Sequence, residues 1–462
     1  MNEAQRTNLG RWELIRQGSA NRRILIGMLT VGGLHLIVSL AAVGKELLIA
    51  HQFGTTDMMD AFLVAFLLPS LLMNTVKGSF EAAFIPEFIR VREREGAFKA
   101  GLLFSHILSR YLVFLLVLSL VLFFLFPFVL PWLGSSFDVP KMEQTQSLFL
   151  ILMPTLVLGA LIGAWGSVLK AGEYFVPPSL SPAVTHLAAL GFIWLAGAIW
   201  GVRALATGLM IGLLLEAVFL MGCLKSRGDI YWPKWHHMDA SIKKVLRQYF
   251  PMIVGTFLMG STLFVDQAMA AAIGSGSVSA LHYGSKVVLF IAGLSSIALG
   301  TSIFPHFSKM VALEDWKSIR HTLKTYARLI LLVTVPLTSV LIYFSQGIIQ
   351  IVFERGAFTS LDTRLVGEIQ VFYLLQIPFY LIGIMGVRLL SALSKNQVLM
   401  VIGGINLLVN IVGNYICIQY LGVAGIGLST SIVYLVSMIL IYFALKRQLE
   451  KRERLSEVRL GQ

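Results

Sequence analysis

The chain has 462 residues, of which 56% are hydrophobic and only 13% are charged. A soluble globular protein carries about 25% charged residues, so this composition excludes an ordinary water-soluble fold. Lys and Arg (37) outnumber Asp and Glu (24), which gives a net charge of +13. Clustered positive charge is also a mark of nucleic-acid binding, but the apolar composition favours a membrane protein without a nucleic-acid partner.

A window of about 20 residues finds twelve segments that are long and apolar enough to cross a bilayer as helices. Hydrocarbon offers no hydrogen-bond partners to a backbone, and alternating segments of about ten residues are absent, so helices rather than a barrel are expected. The predicted spans are Ile24 to Ala50, Met59 to Phe84, Tyr111 to Leu130, Ser147 to Leu169, Leu180 to Trp200, Ala204 to Leu224, Tyr249 to Ile273, Val278 to Ile303, Leu329 to Ile349, Val371 to Leu393, Val398 to Tyr420 and Val423 to Leu445.

Basic residues alternate from side to side across these spans. If the N-terminus is cytoplasmic, 29 Lys and Arg fall in the inside segments and four in the outside loops. The positive-inside rule therefore predicts that both termini are cytoplasmic. The predicted organisation is a basic N-terminal segment (1–23), a first lobe (24–224), a cytoplasmic inter-lobe loop (225–248), a second lobe (249–445) and a basic tail (446–462).

The two halves of the chain resemble each other at an offset of 219 to 224 residues. Pro154 in the fourth span matches Pro378 in the tenth, and Gly201 before the sixth span matches Gly422 before the twelfth. Because each half has an even number of spans, the two six-helix lobes have the same orientation and are related by an axis along the membrane normal. This organisation is typical of transporters.

Ionisable side chains inside a bilayer are costly and often mark substrate or ion pathways. Nine of them fall within the predicted spans: Lys45, Lys77, Lys286, Arg388, Glu46, Asp60, Glu81, Glu216 and Asp266. Lys45 and Glu46 are adjacent, so helix geometry predicts that they point about 100° apart. Lys77 and Glu81 are four residues apart on one helix face, so they could neutralise each other. A substrate role for Lys77 is an equally favoured alternative.

Asp266 and Lys286 lie ten residues on either side of Gly276, in the turn between the seventh and eighth spans. In a helical hairpin both therefore reach the same depth, about 15 Å from the turn. The sequence predicts an ion pair between them, since a buried pair costs far less than either charge alone. Glu46 falls at the repeat equivalent of Asp266, which favours a pair that opens for a ligand over a fixed one.

A polar ladder, Asn406, Asn410 and Asn414, follows one face of the eleventh helix, and Thr430 lies near the start of the twelfth. With Asp266, these oxygens could coordinate a coupling cation, Na⁺ or H⁺, although interhelical hydrogen bonds explain the ladder more simply. Nucleotide-binding and hydrolase motifs do not occur in the sequence, so we expect neither enzymatic activity nor a cofactor.

Two blocks of sequence resemble the MurJ/MviN family of lipid II flippases, within the MATE/polysaccharide-exporter superfamily. The first runs from Lys45 through Gly54 to the Asp60-Ala61-Phe62 motif, and the second runs from Gly276 through Tyr283 to Pro305. The resemblance implies two lobes around a central cavity that opens alternately to each side of the bacterial inner membrane. Its cargo would be a polyprenyl-pyrophosphate-linked glycan, and its partners membrane lipids and the glycan-synthesis machinery.

The resemblance, together with the intramembrane charges and the polar ladder, indicates candidate roles for individual residues. Lys45 and Lys286 match basic residues of the family and are expected to bind pyrophosphate. Further substrate-site candidates are Asp60, Asn74, Lys77 and Arg388. Candidates for gating or ion coupling are Glu46, Glu81, Asp266, Asn406, Asn410, Asn414 and Thr430.

The chain departs from the family pattern in two ways. The family has arginines where this chain has Ser39 and Met73, and it usually has fourteen helices rather than twelve. Lipid II and a related cell-surface glycan are therefore both candidate substrates. A cation-coupled exporter of soluble amphipathic compounds is the alternative function, and a membrane-bound glycan-processing enzyme is a more distant one.

Overall fold

The computed structural model describes residues 20–228, 231–235, 240–393 and 395–460, and side chains within these ranges except at 20–31, 240, 259, 294, 296–306, 308, 312 and 453–460. The described chain is almost entirely helical and contains no strand. The helices are α1 (Ala20–Phe53), α2 (Asp57–Glu95), α3 (Ala97–Leu133), α4 (Val139–Leu152), α5 (Thr155–Ala171), α6 (Val176–Trp200), α7 (Val202–Lys225), α8 (Ala240–Ala271), α9 (Ser277–Ala312), α10 (Trp316–Tyr343), α11 (Ser345–Phe353), α12 (Ser360–Leu374), α13 (Ile377–Ala392), α14 (Asn396–Leu421) and α15 (Ala424–Leu460).

Within the described residues, ten helical segments are long and apolar enough to cross a bilayer, with α4 and α5 together forming one of them. The pair α12 and α13, bent by 41°, supplies an eleventh. The remaining predicted span, Val278 to Ile303, lies in α9, part of whose side chains fall outside the described residues. The predicted helical membrane fold is confirmed, with ten spans, or eleven with the bent pair, found among the described residues.

Both halves of the chain interrupt their fourth span, where the sequence predicts continuous helices. α4 gives way to α5 at Pro154, and α12 gives way to α13 beside Pro378. Proline lacks a backbone donor and clashes with the preceding helical turn, which explains a break at each position. The two prolines are the matched pair of the internal repeat.

The turn into the last span of each half also has the same backbone conformation. Gly201 has φ 57° and ψ −139°, and Gly422 has φ 56° and ψ −140°. A side chain is strained at such a positive φ, so glycine is required at both turns. The repeat seen in the sequence is therefore a repeat of structure, and we name α1–α7 the N lobe and α8–α15 the C lobe.

The hydrophobic cores show how the lobes are joined. One cluster combines both lobes, with Phe53 and Leu63 from the N lobe and Tyr283 and Phe358 from the C lobe. It lies where α1 ends and α2 and α9 begin, which we call the Asp60 end. At the opposite end, named the Glu87 end, the lobes have separate clusters, although the start of α8 packs with the N lobe.

The last helix extends past the predicted lobe boundary at residue 445. α15 continues to Leu460, so the described part of the basic tail is helical. Leu449 is buried in the C-lobe cluster, and the Arg452 guanidinium lies 5.4 Å from the ring centroid of Trp316. The start of the tail is thus packed onto the C lobe.

Candidate functional site

A cluster of charged side chains joins the two lobes partway along the bundle. Lys286 Nζ and His282 Nε2, both from α9, lie 3.2 Å and 3.1 Å from Glu46 Oε2 on α1. Lys45 Nζ lies 3.0 Å from Glu46 Oε1. These side chains are 14–25% exposed, so they are only partly shielded from solvent. We call Lys45, Glu46, His282 and Lys286 the inter-lobe cluster.

The inter-lobe cluster corrects two predictions. Lys286 pairs with Glu46 of the other lobe, so the predicted ion pair with Asp266 is wrong. Residue spacing sets the depth of a residue along its helix, but it does not fix the direction in which the side chain points. Lys45 and Glu46 also meet, against the 100° expectation, because the long lysine stem lets its amine reach back to the neighbouring carboxylate.

The sequence-based predictions do not include His282, although the sequence carries a signal for it. It lies four residues before Lys286, and this spacing places both side chains on one face of α9. In the structure both approach the same Glu46 oxygen. A histidine one turn from an intramembrane lysine is therefore a candidate site residue.

Asp60 is fully buried at the boundary between the lobes. Its Oδ2 accepts from Gly276 N at 2.7 Å, and its Oδ1 accepts from Ser279 N and Ser279 Oγ, each at 2.8 Å. Lys141 Nζ of α4 lies 3.3 Å from Asp60 Oδ2 and 2.5 Å from Asp57 Oδ1. An N-lobe carboxylate thus caps the N-terminus of α9, where backbone donors and the helix dipole favour negative charge.

Further contacts between the lobes surround Asp60. The donor and acceptor pairs are Thr55 Oγ1 to Asp362, Ala357 N to His51 O at 2.8 Å, and Ser136 Oγ to Ala271 O at 2.5 Å. Gly276 has φ +75°, and a Cβ there would lie 2.7 Å from Thr55 O, so only glycine permits this approach. We call these contacts, together with those of Asp60, the seal.

At the Glu87 end, α8 packs along α2. Glu87 is 2% exposed and pairs with Arg90 of its own helix and with Lys244 Nζ of α8 at 2.7 Å. Nearer the middle, Ser79 Oγ donates to Thr256 Oγ1 at 3.2 Å. α8 therefore contacts the N lobe along much of its length.

Asp266 on α8 is 3% exposed and lies within the C lobe. Asn410 and Asn414 donate their side-chain amides to Asp266 Oδ1 at 2.8 Å and 2.7 Å, and Thr430 Oγ1 donates to Oδ2 at 3.0 Å. The side-chain oxygens of Asn410 and Asn414 are buried and have no hydrogen-bond partner in the described part of the chain. Carboxylate, amide and hydroxyl oxygens of this kind suit a hard cation.

Other candidate residues lie apart from the inter-lobe cluster, the seal and the oxygens around Asp266. Glu81 pairs with Lys170 at 2.7 Å, so the predicted neutralising pair with Lys77 is wrong. The two lie one turn apart, but α5 brings Lys170 closer. Asn406 donates to Ser437 Oγ at 3.1 Å instead of contacting Asp266.

The last two substrate-site candidates, Asn74 and Arg388, lie on different lobes. Asn74 is exposed on α2, and Arg388 is half-buried on α13. Neither belongs to the inter-lobe cluster.

The fold and the inter-lobe cluster define a class of protein: a multi-pass membrane transporter of two helical lobes, with a charged site between them. The profile of the family described as lipid II flippase MurJ matches residues 49–459. The chain belongs to the MurJ family.

Individual relatives agree with this assignment. The chain is 25% identical over 439 residues to a probable lipid II flippase MurJ of Buchnera aphidicola subsp. Acyrthosiphon pisum, covering 93% of this chain and 84% of that protein. It is 24% identical over 444 residues to the lipid II flippase MurJ of Burkholderia cenocepacia, covering 91% and 83%. The family resemblance inferred from the sequence is confirmed.

Solved structures show the same fold. A lipid II flippase MurJ in an inward closed conformation matches with a TM-score of 0.78 at 21% identity, covering 94% of this chain and 91% of that one. An inward-facing multidrug resistance MATE family transporter matches with a TM-score of 0.74 at 11% identity, covering 92% and 99%. The two-lobed architecture is therefore shared with both groups of transporter.

Proposed function

We propose that this protein is a flippase of the bacterial inner membrane that moves a lipid-linked glycan from one leaflet to the other. The pyrophosphate of the substrate binds at the inter-lobe cluster. The leading substrate is lipid II, because the relatives are described as lipid II flippases. The observation that carries the proposal is the convergence of Lys45 and Lys286, one from each lobe, on a single carboxylate. The protein acts as a carrier without enzymatic activity.

The charge of the inter-lobe cluster supports an anionic substrate. Two lysines face one glutamate, so the ion pairs leave positive charge in excess. In a partly buried site of low effective dielectric, this excess attracts an anion and repels a cation more strongly than it would in water. An exporter of cationic compounds would need the opposite sign of charge.

The seal supports transport by alternating access. Glu46 lies seven residues before the end of α1 and Lys286 nine residues after the start of α9, so the cluster is roughly 10 to 14 Å from the seal along the helices. The positive-inside rule puts the Asp60 end outside and the Glu87 end in the cytoplasm. A substrate bound at the cluster would therefore leave to the outside only after the seal opens.

Proteoliposomes that contain a fluorescent polyprenyl-pyrophosphate glycan test this function. A membrane-impermeant quencher measures how fast the labelled head group changes leaflet, and we expect the purified protein to accelerate this exchange. Exchange equal to that of empty liposomes would refute the flippase proposal. Export of ethidium by the same vesicles would favour a drug exporter, and a chemically altered glycan lipid would favour an enzyme.

Glu46 pairs with the two lysines that the substrate pyrophosphate would bind, so it competes with the substrate for them. Glu46→Gln removes the internal anion, so we expect pyrophosphate to bind roughly tenfold more tightly, and turnover to fall because release is slower. Binding of inorganic pyrophosphate by calorimetry and the leaflet-exchange rate measure the two effects.

Glu81→Gln is the matched control, since Glu81 also pairs with one lysine within the N lobe but lies outside the cluster. We expect its pyrophosphate affinity and its exchange rate to stay within about twofold of the wild type. Weaker binding by Glu46→Gln would show instead that Glu46 only positions the lysines.

We also propose that the oxygens around Asp266 bind the coupling ion, with Na⁺ preferred over H⁺. Asp266, Asn410, Asn414 and Thr430 would hold it, and the two unpartnered amide oxygens are the observation in support. A bound cation would satisfy these oxygens and balance the buried carboxylate, which has no cationic partner among the described residues.

Asp266→Asn is expected to abolish any Na⁺ dependence of transport while leaving the fold intact, because the amide replaces the carboxylate at the same size. The leaflet-exchange rate in Na⁺ and in choline buffers measures this. Asn406→Ala is the control, since Asn406 belongs to the same ladder but bonds to Ser437. Wild-type transport that is equal in both buffers and sensitive only to pH would assign the site to H⁺ instead.

A further inference from the structure

A separate cavity lies in the C lobe, away from the inter-lobe cluster and the seal. Its volume is about 500 Å³, and it is bounded by α10, α13 and α15. Most of its wall is apolar, including Ile382, Met385, Leu445 and Leu449. None of the residues assigned to the proposed transport function lines it.

One part of this cavity is cationic. Arg320 and Lys324 from the first turns of α10 and Lys446 from α15 belong to its lining. Lys324 and Lys446 are exposed, whereas Ala327, one turn further along α10, is half-buried and uncharged. The cavity therefore combines an apolar interior with positive charge near the end of the membrane-spanning part of α15.

The internal repeat shows that this combination is specific to the C lobe. At an offset of 220, Arg320 and Lys324 correspond to Ala100 and Phe104 of α3. Ala100 is 0% exposed and Phe104 is 1% exposed, so both belong to the N-lobe core. The surface that is charged in the C lobe is apolar and covered in the N lobe.

The chain itself covers the N-lobe surface. Tyr231 of the inter-lobe segment packs on α3 so closely that a Cβ at Gly101 would lie 1.9 Å from its ring. The ring centroids of Tyr231 and Phe104 are 6.4 Å apart, and Lys234 N donates to Ser105 O at 3.4 Å. The N lobe thus fills with an aromatic side chain the position where the C lobe has a cavity.

We propose that the C-lobe cavity binds a phospholipid with an anionic head group, taken from the surrounding leaflet. Its acyl chains fill the space between α10 and α15, where burial of hydrocarbon is favourable, and its phosphate contacts Lys324 and Lys446. A zwitterionic lipid carries a compensating positive charge and binds more weakly. The lipid supports α10 and α15 as Tyr231 supports the N lobe, and so stabilises the folded C lobe.

Native mass spectrometry of the full-length protein tests this proposal, with phosphatidylglycerol and phosphatidylcholine as the probes. We expect one phosphatidylglycerol to be retained at lipid concentrations at which phosphatidylcholine is lost. Lys324→Gln combined with Lys446→Gln should weaken phosphatidylglycerol binding roughly 10- to 30-fold, as expected for two charges near a head group. The pair Arg328→Gln and Arg447→Gln removes the same charge from exposed positions on the same helices, and should change binding less than twofold.

A second variant tests the apolar interior. Ala327→Phe fills the cavity without changing its charge, so it should lose the retained lipid while the leaflet-exchange activity shows that the protein is folded. If the Arg328→Gln and Arg447→Gln pair lost as much phosphatidylglycerol binding as the Lys324→Gln and Lys446→Gln pair, general surface charge would explain the binding and the proposal would be overturned. Equal retention of phosphatidylcholine, or a retained polyprenyl lipid in place of a phospholipid, would overturn it as well.

Discussion

Lys286→Ala is expected to slow glycan-lipid translocation by about 100-fold. Lys286 is the C-lobe lysine of the inter-lobe cluster, 3.2 Å from Glu46, and without it the remaining ion pair is neutral. Truncating one member of a buried charge pair costs about 2 to 5 kcal/mol, and the lower part of that range applies to this partly exposed pair; each 1.4 kcal/mol is a factor of ten. The leaflet-exchange rate at matched protein density measures the loss, and Lys45→Ala should cause a similar one from the N lobe.

Lys170→Ala provides the matched control for both variants. Lys170 is also a half-buried lysine in a carboxylate pair, 2.7 Å from Glu81, but it lies outside the inter-lobe cluster. Its alanine variant should keep at least half of the wild-type rate, and Lys286→Arg should retain more activity than Lys286→Ala because the charge stays. Full transport by both Lys286→Ala and Lys45→Ala would show that the substrate does not bind at the inter-lobe cluster.

Much of the fold could be predicted because it depends on local properties of the chain. Apolar length sets a span, and the matched pair Gly201 and Gly422 marks the same positive-φ turn in each lobe. The sequence indicates that Pro154 and Pro378 are matched positions of a repeat, but it does not indicate that they break their helices, because proline is tolerated in other spans, such as at Pro69 in α2. Whether a proline breaks a span depends on the packing around it.

The partners of the intramembrane charges were harder to predict. Residue spacing gives a depth and a helix face, and on that basis the sequence predicts a pair of Asp266 with Lys286. Which neighbour a face meets is decided by the packing of the two lobes, and this brings Glu46 to Lys286 instead. A contact between residues 240 positions apart has no local signal in a single sequence.

The polar ladder shows both the strength and the limit of spacing arguments. Asn410 and Asn414 reach Asp266 together, as their four-residue spacing implies. Asn406 continues the same spacing but bonds to Ser437, because one further turn takes it past the carboxylate. The sequence identified the face of α14, and the position of Asp266 on α8 determines how much of that face is used.

Asp60→Ala is expected to open the seal. The substitution leaves Gly276 N and Ser279 N without their acceptor, and it leaves Lys141, which is 8% exposed, with Asp57 as its carboxylate partner. Gly276 N and Ser279 N each lose a hydrogen bond to a charged group, worth about 1.5 to 3 kcal/mol. Only the sealed conformation makes these bonds between the lobes, whereas the pair of Asp60 with Lys141 lies within the N lobe in either conformation. The equilibrium should therefore shift roughly 100-fold or more toward conformations in which the lobes are apart at the Asp60 end.

Spin labels at Ser135 and Ser360, exposed positions on opposite lobes at that end, measure the shift as a longer inter-label distance by electron–electron double resonance. Cys223 and Cys417 are replaced by serine in every variant. Asp315→Ala is the control, because Asp315 caps α10 through Ser318 N at 3.0 Å within the C lobe alone. Its distance distribution should match the wild type, since a lost cap inside one lobe weakens both conformations equally. An unchanged distribution in Asp60→Ala, or an equal change in both variants, would mean that Asp60 does not hold the lobes together.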